Sequence, residues 1–139
     1  MASFVIDAST VLAVLFEEAH SSAARSFFGA VSSEDELIAP AFVLVECTSN
    51  LREKVFLGSF TEEEAANKLE LALNLPIRLM LNLDQHRIAL RMSAQRGTRR
   101  AYDAHYLAVA ALEGAEVVTI DSGMYQGAIE HRIPARLLR

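Results

Sequence analysis

The chain has 139 residues, of which 52% are hydrophobic and 22% charged, a composition that predicts one compact domain over residues 1–139 and excludes a disordered protein. Its formal net charge of −5 argues against coating nucleic acid through bulk positive charge, but it is compatible with a local basic patch or a bound metal ion. Cys47 is the only cysteine, which excludes an intramolecular disulfide and a cysteine-based zinc site. The sequence shows neither a membrane span nor a signal peptide, so we expect a cytoplasmic protein.

Short apolar segments alternate with amphipathic ones in the first half of the chain. Residues 3–6 predict a first strand, and helical spacing of apolar residues predicts helices over 8–16 and 20–31. A charged turn then leads to a second predicted strand at 37–40, which ends at a proline. A third helix is predicted from 41 to 57, where a glycine follows.

The middle of the chain continues the alternation. Thr61 with Glu64 three residues later is a capping-box pattern, which predicts the start of a fourth helix. Residues 77–83 predict a third strand. We expect Asp84 to cap the following helix and Gly97 to end it.

The last third of the chain predicts a strongly apolar helix at 102–113, a strand at 116–120, a short helix after Asp121 and an edge strand within 131–138. Strands separated by helices indicate an α/β fold of three layers, with a mainly parallel central sheet flanked by helices. In such sheets, ligands bind at the carboxyl ends of the strands near a topological switch point.

Four acidic residues stand in apolar surroundings, namely Asp7, Glu46, Asp103 and Asp121. Asp7 and Asp121 directly follow apolar strands, so each is also a natural N-cap for the next helix. Asp103 lies near the start of a helix whose dipole it can complement, and Glu46 lies inside a helix whose edge can be solvated. Because all four acids stand in apolar surroundings, a joint role is favoured over a separate capping or surface role for each of them.

Converging carboxylates predict a bound cation. Two carboxylates about 4 Å apart repel each other by roughly 4 kcal/mol at an effective dielectric constant near 20. A cluster of oxygen ligands without cysteine suits Mg²⁺ or Mn²⁺, which in turn suits hydrolysis of a phosphodiester by a metal-activated water. Ser9 and Thr10 could hold a phosphate or a metal-bound water, or simply cap the helix. Asn50 could orient Glu46 or a ligand water, or simply be solvated.

Three arginines precede the helix that carries Asp103, namely Arg96, Arg99 and Arg100. The guanidinium group can bind phosphate through two parallel hydrogen bonds, so this segment is the candidate RNA contact of an otherwise acidic protein. The alternative is an ordinary solvated surface loop.

The segments "VIDAST", "LVECTSNLREK" and "AYDAHYLAVAALEGAEVVTID" make the chain resemble PIN-domain ribonucleases, most closely the VapC-type toxins of toxin–antitoxin pairs, over essentially its whole length. The resemblance implies a Rossmann-like parallel sheet and an endoribonuclease dependent on Mg²⁺ or Mn²⁺. It also implies a homodimer and inhibition by a VapB-like antitoxin. By position, Asp7, Glu46, Asp103 and Asp121 match the acidic metal-binding and catalytic quartet of the family. The family's two hydroxyl positions fall on Ser9 or Thr10 and on Thr119.

Two alternatives stay open. A receiver-like signalling module also combines a parallel sheet with acids and Mg²⁺, but such modules carry a lysine after the last strands, and no lysine follows Leu75 here. A PIN domain that only binds RNA would share the fold without the chemistry. Dinucleotide binding is excluded because the first strand is not followed by a Gly-x-Gly-x-x-Gly segment.

Overall fold

Five short strands form one sheet at the centre of the computed structural model, which describes all residues from 1 to 139. The strands are Ser3–Ile6 (β1), Glu36–Pro40 (β2), Ile77–Met80 (β3), Glu116–Thr119 (β4) and Ala135–Leu137 (β5). Their order in the sheet is β3-β2-β1-β4-β5, and every neighbouring pair is parallel. The predicted parallel sheet is confirmed, including the edge strand at the end of the chain.

Seven helices connect the strands. They are Ala8–Leu15 (α1), Ser21–Ala30 (α2), Phe42–Phe56 (α3), Glu62–Leu73 (α4), Leu83–Arg96 (α5), Tyr102–Glu113 (α6) and Ser122–Glu130 (α7). Helices α1 to α4 pack together, as do α5 to α7. Because the chain reverses its direction across the sheet after β3, right-handed connections place the first group on one face and the second on the other. This arrangement confirms the predicted three-layer α/β fold.

The three central strands are buried on both faces, as expected for a parallel sheet covered by helices. Val5, Ile6, Ile38, Val117 and Val118 are completely inaccessible to solvent. The apolar side chains of α1 and α2 join the same core, which also contains Cys47. None of the helices is both long enough and apolar enough to span a membrane.

Two predictions for the middle of the chain are wrong in detail. Strand β3 ends at Met80 rather than at residue 83, because its last partner is Pro40, where β2 itself ends. Helix α5 is capped by Asn82, whose side chain accepts the backbone N–H of Asp84 at 2.8 Å, so Asp84 lies in the first turn instead. The capping box of Thr61 and Glu64 is present as predicted.

The strand order places the switch point between β1 and β4, whose following connections leave toward opposite faces of the sheet. Ile6 lies opposite Val118 in the register of these two strands. The next residues along each strand, Asp7 and Thr119, are therefore neighbours at the carboxyl edge of the sheet. This edge is where the sequence places its candidate acids.

Candidate active site

Asp7 is a buried carboxylate surrounded by hydroxyl groups. Its Oδ1 accepts the backbone N–H of Thr10 at 3.1 Å, which makes it the N-cap of α1, and the Thr10 hydroxyl at 2.8 Å. Its Oδ2 accepts the Thr119 hydroxyl from β4 at 2.7 Å, and Ser9 Oγ lies 2.9 Å from both oxygens. Thr119 Oγ1 in turn accepts the backbone N–H of Asp121 at 2.9 Å. The two expected hydroxyl positions thus contact the first acid directly.

Burial raises the pKa of Asp7, since desolvation disfavours its charged form. The hydrogen bonds from Thr119, Thr10 and Ser9 oppose that rise because they stabilise the carboxylate. Only 3% of the residue is exposed. Asp7 therefore has the N-cap role that the sequence offered, and its joint role with the other acids stays a prediction.

Glu46 projects from α3 and meets a residue that the sequence did not single out. The phenol of Tyr106, on α6, donates a hydrogen bond to Glu46 Oε1. Burial raises the pKa of Glu46, the hydrogen bond from Tyr106 lowers it, and the negative charges of Asp103 and Asp7 raise it further. Tyr106 lies three residues after Asp103 in the same apolar helix. This spacing places the two residues on one face of the helix, and it could have indicated from the sequence that Tyr106 lies near the acids.

Asn50 does not reach the Glu46 carboxylate. Its side-chain nitrogen donates to the main-chain carbonyl of Glu46 at 2.9 Å, one helical turn earlier. The expected orientation of that carboxylate by Asn50 is therefore corrected, and Tyr106 makes the contact instead. Asn50 lines a cavity of about 300 Å³ together with Ser9 and Lys54, beside the acidic group.

Asp103 lies in the first turn of α6, and its carboxylate accepts no hydrogen bond from the protein. Desolvation raises its pKa first, followed by the negative charges of Asp121 and Asp7, while the positive charge of Arg96 lowers it. Its oxygens are consequently free to contact a ligand.

Asp121 caps α7 by accepting the backbone N–H groups of Gly123 and Met124 at 3.2 and 3.3 Å. The residue is exposed at the end of β4. Its charge nevertheless reaches Asp103, where it raises the pKa. Asp121 therefore combines the cap position with membership of the acidic group.

The negative charges of neighbouring carboxylates reach Glu46 and Asp103 through space. Asp7 raises the pKa of both Glu46 and Asp103, Asp103 raises that of Glu46, and Asp121 raises that of Asp103. They are not assembled into a closed cage, because no group of three or more His, Cys, Asp or Glu side chains is arranged to hold an ion. Mg²⁺ typically takes one or two carboxylates and keeps several waters, so an open group of oxygen donors fits it.

The candidate RNA-binding arginines lie around a cavity of about 310 Å³ beside Asp103, which Tyr102 also lines. Arg99 and Arg100 form no salt bridge, and both are exposed. Arg96 differs from them, because its Nε donates to Glu130 Oε2 at 2.8 Å and its guanidinium lies against Gly127 of α7. Arg96 is thus held between α5 and α7 as a partial counter-charge to Asp103.

The raised pKa values predict a pH dependence of stability for the metal-free protein. A carboxyl group with a raised pKa in the folded state contributes stability that is complete below its unfolded pKa and is lost as the pH rises through its folded pKa. The Asp103→Asn variant, which lacks one of these charges, should therefore be more stable than the wild type near pH 7. This advantage should disappear toward about pH 4, near the ordinary carboxyl range.

Urea unfolding of both proteins across this pH range, in EDTA, measures the difference. Glu63→Gln, which removes an exposed acid in the first turn of α4, is the matched control and should show no such advantage. An equal pH dependence of Asp103→Asn and the wild type would contradict the electrostatic interpretation.

Comparisons with known proteins agree with this architecture. The fold superposes on a chain of the VapBC2 complex from Rickettsia felis, crystallised with a promoter DNA fragment, with a TM-score of 0.74 and 12% identity over 99% of both chains. It superposes on VapC20 of Mycobacterium tuberculosis, a Sarcin-Ricin loop cleaving toxin, with a TM-score of 0.72 and 16% identity over 88% of this chain and 93% of that one. For PAE2754 of Pyrobaculum aerophilum the TM-score is 0.66 and the identity 21%, over 91% and 86% of the two chains.

Identities this low establish a common fold and nothing finer. No curated protein matches the sequence significantly. The family model of the PIN domain matches residues 4–130, which includes all four acids and every strand except β5. The resemblance inferred from the sequence is thereby confirmed, and the chain belongs to the PIN-domain family.

Proposed function

We propose that this PIN domain is a metal-dependent endoribonuclease of the VapC type, which cleaves RNA by attack of a metal-activated water on a phosphodiester. The observation that carries the proposal is the convergence of carboxylates at the carboxyl edge of the sheet, where the charge of Asp7 reaches both Glu46 and Asp103 and the charge of Asp121 reaches Asp103. Membership of the PIN family and the likeness of the fold to an RNA-cleaving toxin support the reaction class.

Asp7, Glu46, Asp103 and Asp121 are the proposed catalytic residues and metal ligands. Bound Mg²⁺ or Mn²⁺ would supply a water of lowered pKa and positive charge for the phosphate. Asp103 is exposed and its carboxylate accepts no hydrogen bond within the protein, so both of its oxygens are available to a ligand. Chemistry that needs a hard cation agrees with this all-oxygen donor set.

The surrounding side chains hold these acids in place. Ser9, Thr10 and Thr119 donate to Asp7, which fixes its two oxygens and opposes the rise in its pKa that burial causes. Tyr106 does the same for one oxygen of Glu46. Hydrogen-bonded partners of metal ligands orient them and tune their basicity.

Arg99 and Arg100 are the proposed phosphate contacts, since both are exposed at the cavity beside Asp103 and neither has an acidic partner. We do not propose Arg96 as a phosphate contact, because its guanidinium is already bound to Glu130. Its positive charge is proposed to act on the carboxylate of Asp103 instead. An RNA backbone lying along this cavity would bring its phosphates to the acidic group.

The receiver-like alternative loses its support, because the chain belongs to the PIN family. A PIN domain that binds RNA without cleaving it remains the competing class. The carboxylate oxygens of Asp103, which accept no hydrogen bond from the protein, favour the RNA-cleaving class. A measurement of RNA cleavage distinguishes the two classes.

RNA cleavage tests the proposal directly. Incubation of total RNA with the protein should give discrete fragments with Mg²⁺ or Mn²⁺ and none with EDTA. Asp7→Asn and Asp103→Asn should each lower the cleavage rate by at least roughly 100-fold, since metal-based stabilisation of the transition state is worth several kcal/mol. Glu63→Gln, an exposed acid on α4, is the control that should retain the rate. Cleavage that persists in EDTA or in both Asn variants would refute the mechanism.

Tyr106→Phe removes one hydroxyl from a fully buried ring and leaves Glu46 without its donor. The affinity for Mn²⁺ should fall roughly 10- to 100-fold, as is typical when a metal ligand loses its hydrogen-bond partner. The free energy of unfolding should change by only about 1 kcal/mol. Calorimetric titration with Mn²⁺ and urea unfolding measure the two quantities.

Tyr125→Phe is the matched control, because the Tyr125 hydroxyl makes no hydrogen bond within the protein. It should retain the wild-type affinity for Mn²⁺. If Tyr106→Phe also binds Mn²⁺ like the wild type, the phenol has no role in positioning Glu46.

We further propose a homodimer and a VapB-like antitoxin as partners. The support is the likeness to toxin–antitoxin assemblies from Rickettsia felis and Klebsiella pneumoniae. The exposed large apolar side chains include two pairs that are close in sequence, Phe56 and Leu57 at the end of α3 and Leu81 and Leu83 between β3 and the start of α5. Clusters of exposed apolar residues are typical of protein interfaces.

Light scattering measures the mass of the purified chain, which should be twice that of the 15.3 kDa monomer. Leu81→Ser combined with Leu83→Ser, or Phe56→Ser combined with Leu57→Ser, should convert it to the monomer if the corresponding pair lies in the interface. A monomeric wild type would contradict the dimer. The antitoxin proposal expects a short reading frame next to the gene for this chain. Co-expression with it should yield a complex, and the lack of such a reading frame or of a complex would contradict the proposal.

A further inference from the structure

A second cavity lies at the same edge of the sheet, next to the cavity of the arginines. It has a volume of about 250 Å³, and Tyr102 lines both cavities. We call it the aromatic pocket and define it by its lining residues Ala41, Phe42, Met80, Leu81, Gln85, His86, Tyr102 and His105. The four acids lie near the ends of β1 and β4, whereas this pocket lies near the ends of β2 and β3.

Four rings surround the aromatic pocket. Phe42 and Tyr102 are stacked with centroids 5.5 Å apart and planes inclined by 19°, and His86 meets His105 edge to face at 4.9 Å. The pocket is slightly smaller than the roughly 300–1,000 Å³ typical of sites for whole small molecules. A site of this size and lining suits one planar ring system.

Gln85 supplies the polar group of the pocket. Its Nε2 lies 2.9 Å from His105 Nδ1, but its Oε1 is buried without any hydrogen-bond partner, and only 4% of the residue is exposed. A buried amide oxygen without a donor is unusual, because it loses its hydration and gains nothing in return. An N–H group brought by a ligand would satisfy it.

The pocket is open rather than part of the hydrophobic core. Half of Tyr102 is exposed, and 87% of Leu81. Arg100 approaches the Tyr102 ring at 5.9 Å and lies in the phosphate-contacting cavity proposed above. A phosphate at Arg100 would therefore have its nucleoside within reach of the aromatic pocket.

We propose that the aromatic pocket binds one nucleobase of the RNA substrate, next to the phosphodiester that is cleaved. The base lies against the aromatic rings and donates an edge N–H to the amide oxygen of Gln85. The inference rests on the proposed ribonuclease function and adds to it a subsite for sequence preference. Proteins that bind single-stranded RNA commonly hold bases on aromatic side chains in this way.

The experiment uses an oligonucleotide that spans the cleavage site mapped with the wild-type protein. Its affinity is measured by fluorescence anisotropy with the Asp7→Asn protein, which binds without cleaving. One base at a time is then replaced by an abasic residue. One position beside the scissile phosphate should lose roughly tenfold in affinity or more, the effect of a lost base–aromatic contact.

The same scan is repeated with Gln85→Leu and with His86→Ala added to the Asp7→Asn protein. In both, the abasic loss at that position should shrink to about twofold or less, because the pocket no longer distinguishes a base from its absence. Leu90→Ala, an exposed residue of the same helix outside the pocket, is the matched control and should retain the full loss. His86 is exposed, so its variant should fold even if Gln85→Leu does not.

Three outcomes overturn the inference. If the wild type cleaves RNA but the abasic losses are the same in all variants, the subsite is wrong while the ribonuclease stands. If Gln85→Leu and His86→Ala convert a dimer to a monomer without altering the abasic losses, a second copy of the chain occupies the pocket. If the wild type cleaves no RNA, the proposed function fails and the subsite fails with it.

Discussion

The hydroxyl of Thr119 bound to the carboxylate of Asp7 joins the two strands between which the strand order of the sheet reverses. This contact links β1 to β4 at the carboxyl edge of the sheet and opposes the rise in the pKa of Asp7 that burial causes. The same hydroxyl accepts the N–H of Asp121 and so fixes the residue from which α7 begins. Asp7 thus caps α1, and through Thr119 it is linked to Asp121, which caps α7.

Without a bound cation, an acidic group of this kind lowers the stability of the folded protein. Desolvation raises the pKa of Asp7, Glu46 and Asp103, and repulsion from neighbouring carboxylates raises the pKa of Glu46 and Asp103 further. The fold opposes this tendency with a different partner for each acid: three hydroxyls donate to Asp7 and one phenol donates to Glu46, whereas Asp103 has only the nearby positive charge of Arg96. Local rules of folding are commonly violated at functional sites, and these carboxylates are such a violation.

The features that depend on neighbouring residues were predictable from the sequence. Asp7 and Asp121 follow strands, so their place at the carboxyl edge follows from the fold class, and the capping box at Thr61 follows from local spacing. The choice of Asn82 over Asp84 as a cap was not predictable, because both residue types suit that role and the end of β3 decides between them.

Contacts between distant elements were also beyond sequence reasoning. Tyr106 and Glu46 are 60 residues apart, and Arg96 and Glu130 are 34 apart, so no spacing rule relates either pair. The sequence did not distinguish Arg96 from Arg99 and Arg100, yet only Arg96 forms an ion pair, with Glu130 on α7. Asn50 likewise satisfied the helical spacing from Glu46 but bonds to the main chain. Packing decides which of several suitable side chains makes a contact.

The short helix α7 influences Asp103 from both of its ends. At its start, Asp121 faces Asp103 with a negative charge, and at its last residue Glu130 holds the arginine that faces Asp103 with a positive one. A displacement of α7 would therefore change the repulsion and the attraction felt by Asp103 together. The position of α7 thus sets the balance of charge at Asp103, and the surface around Glu130 is connected to that carboxylate through a single arginine.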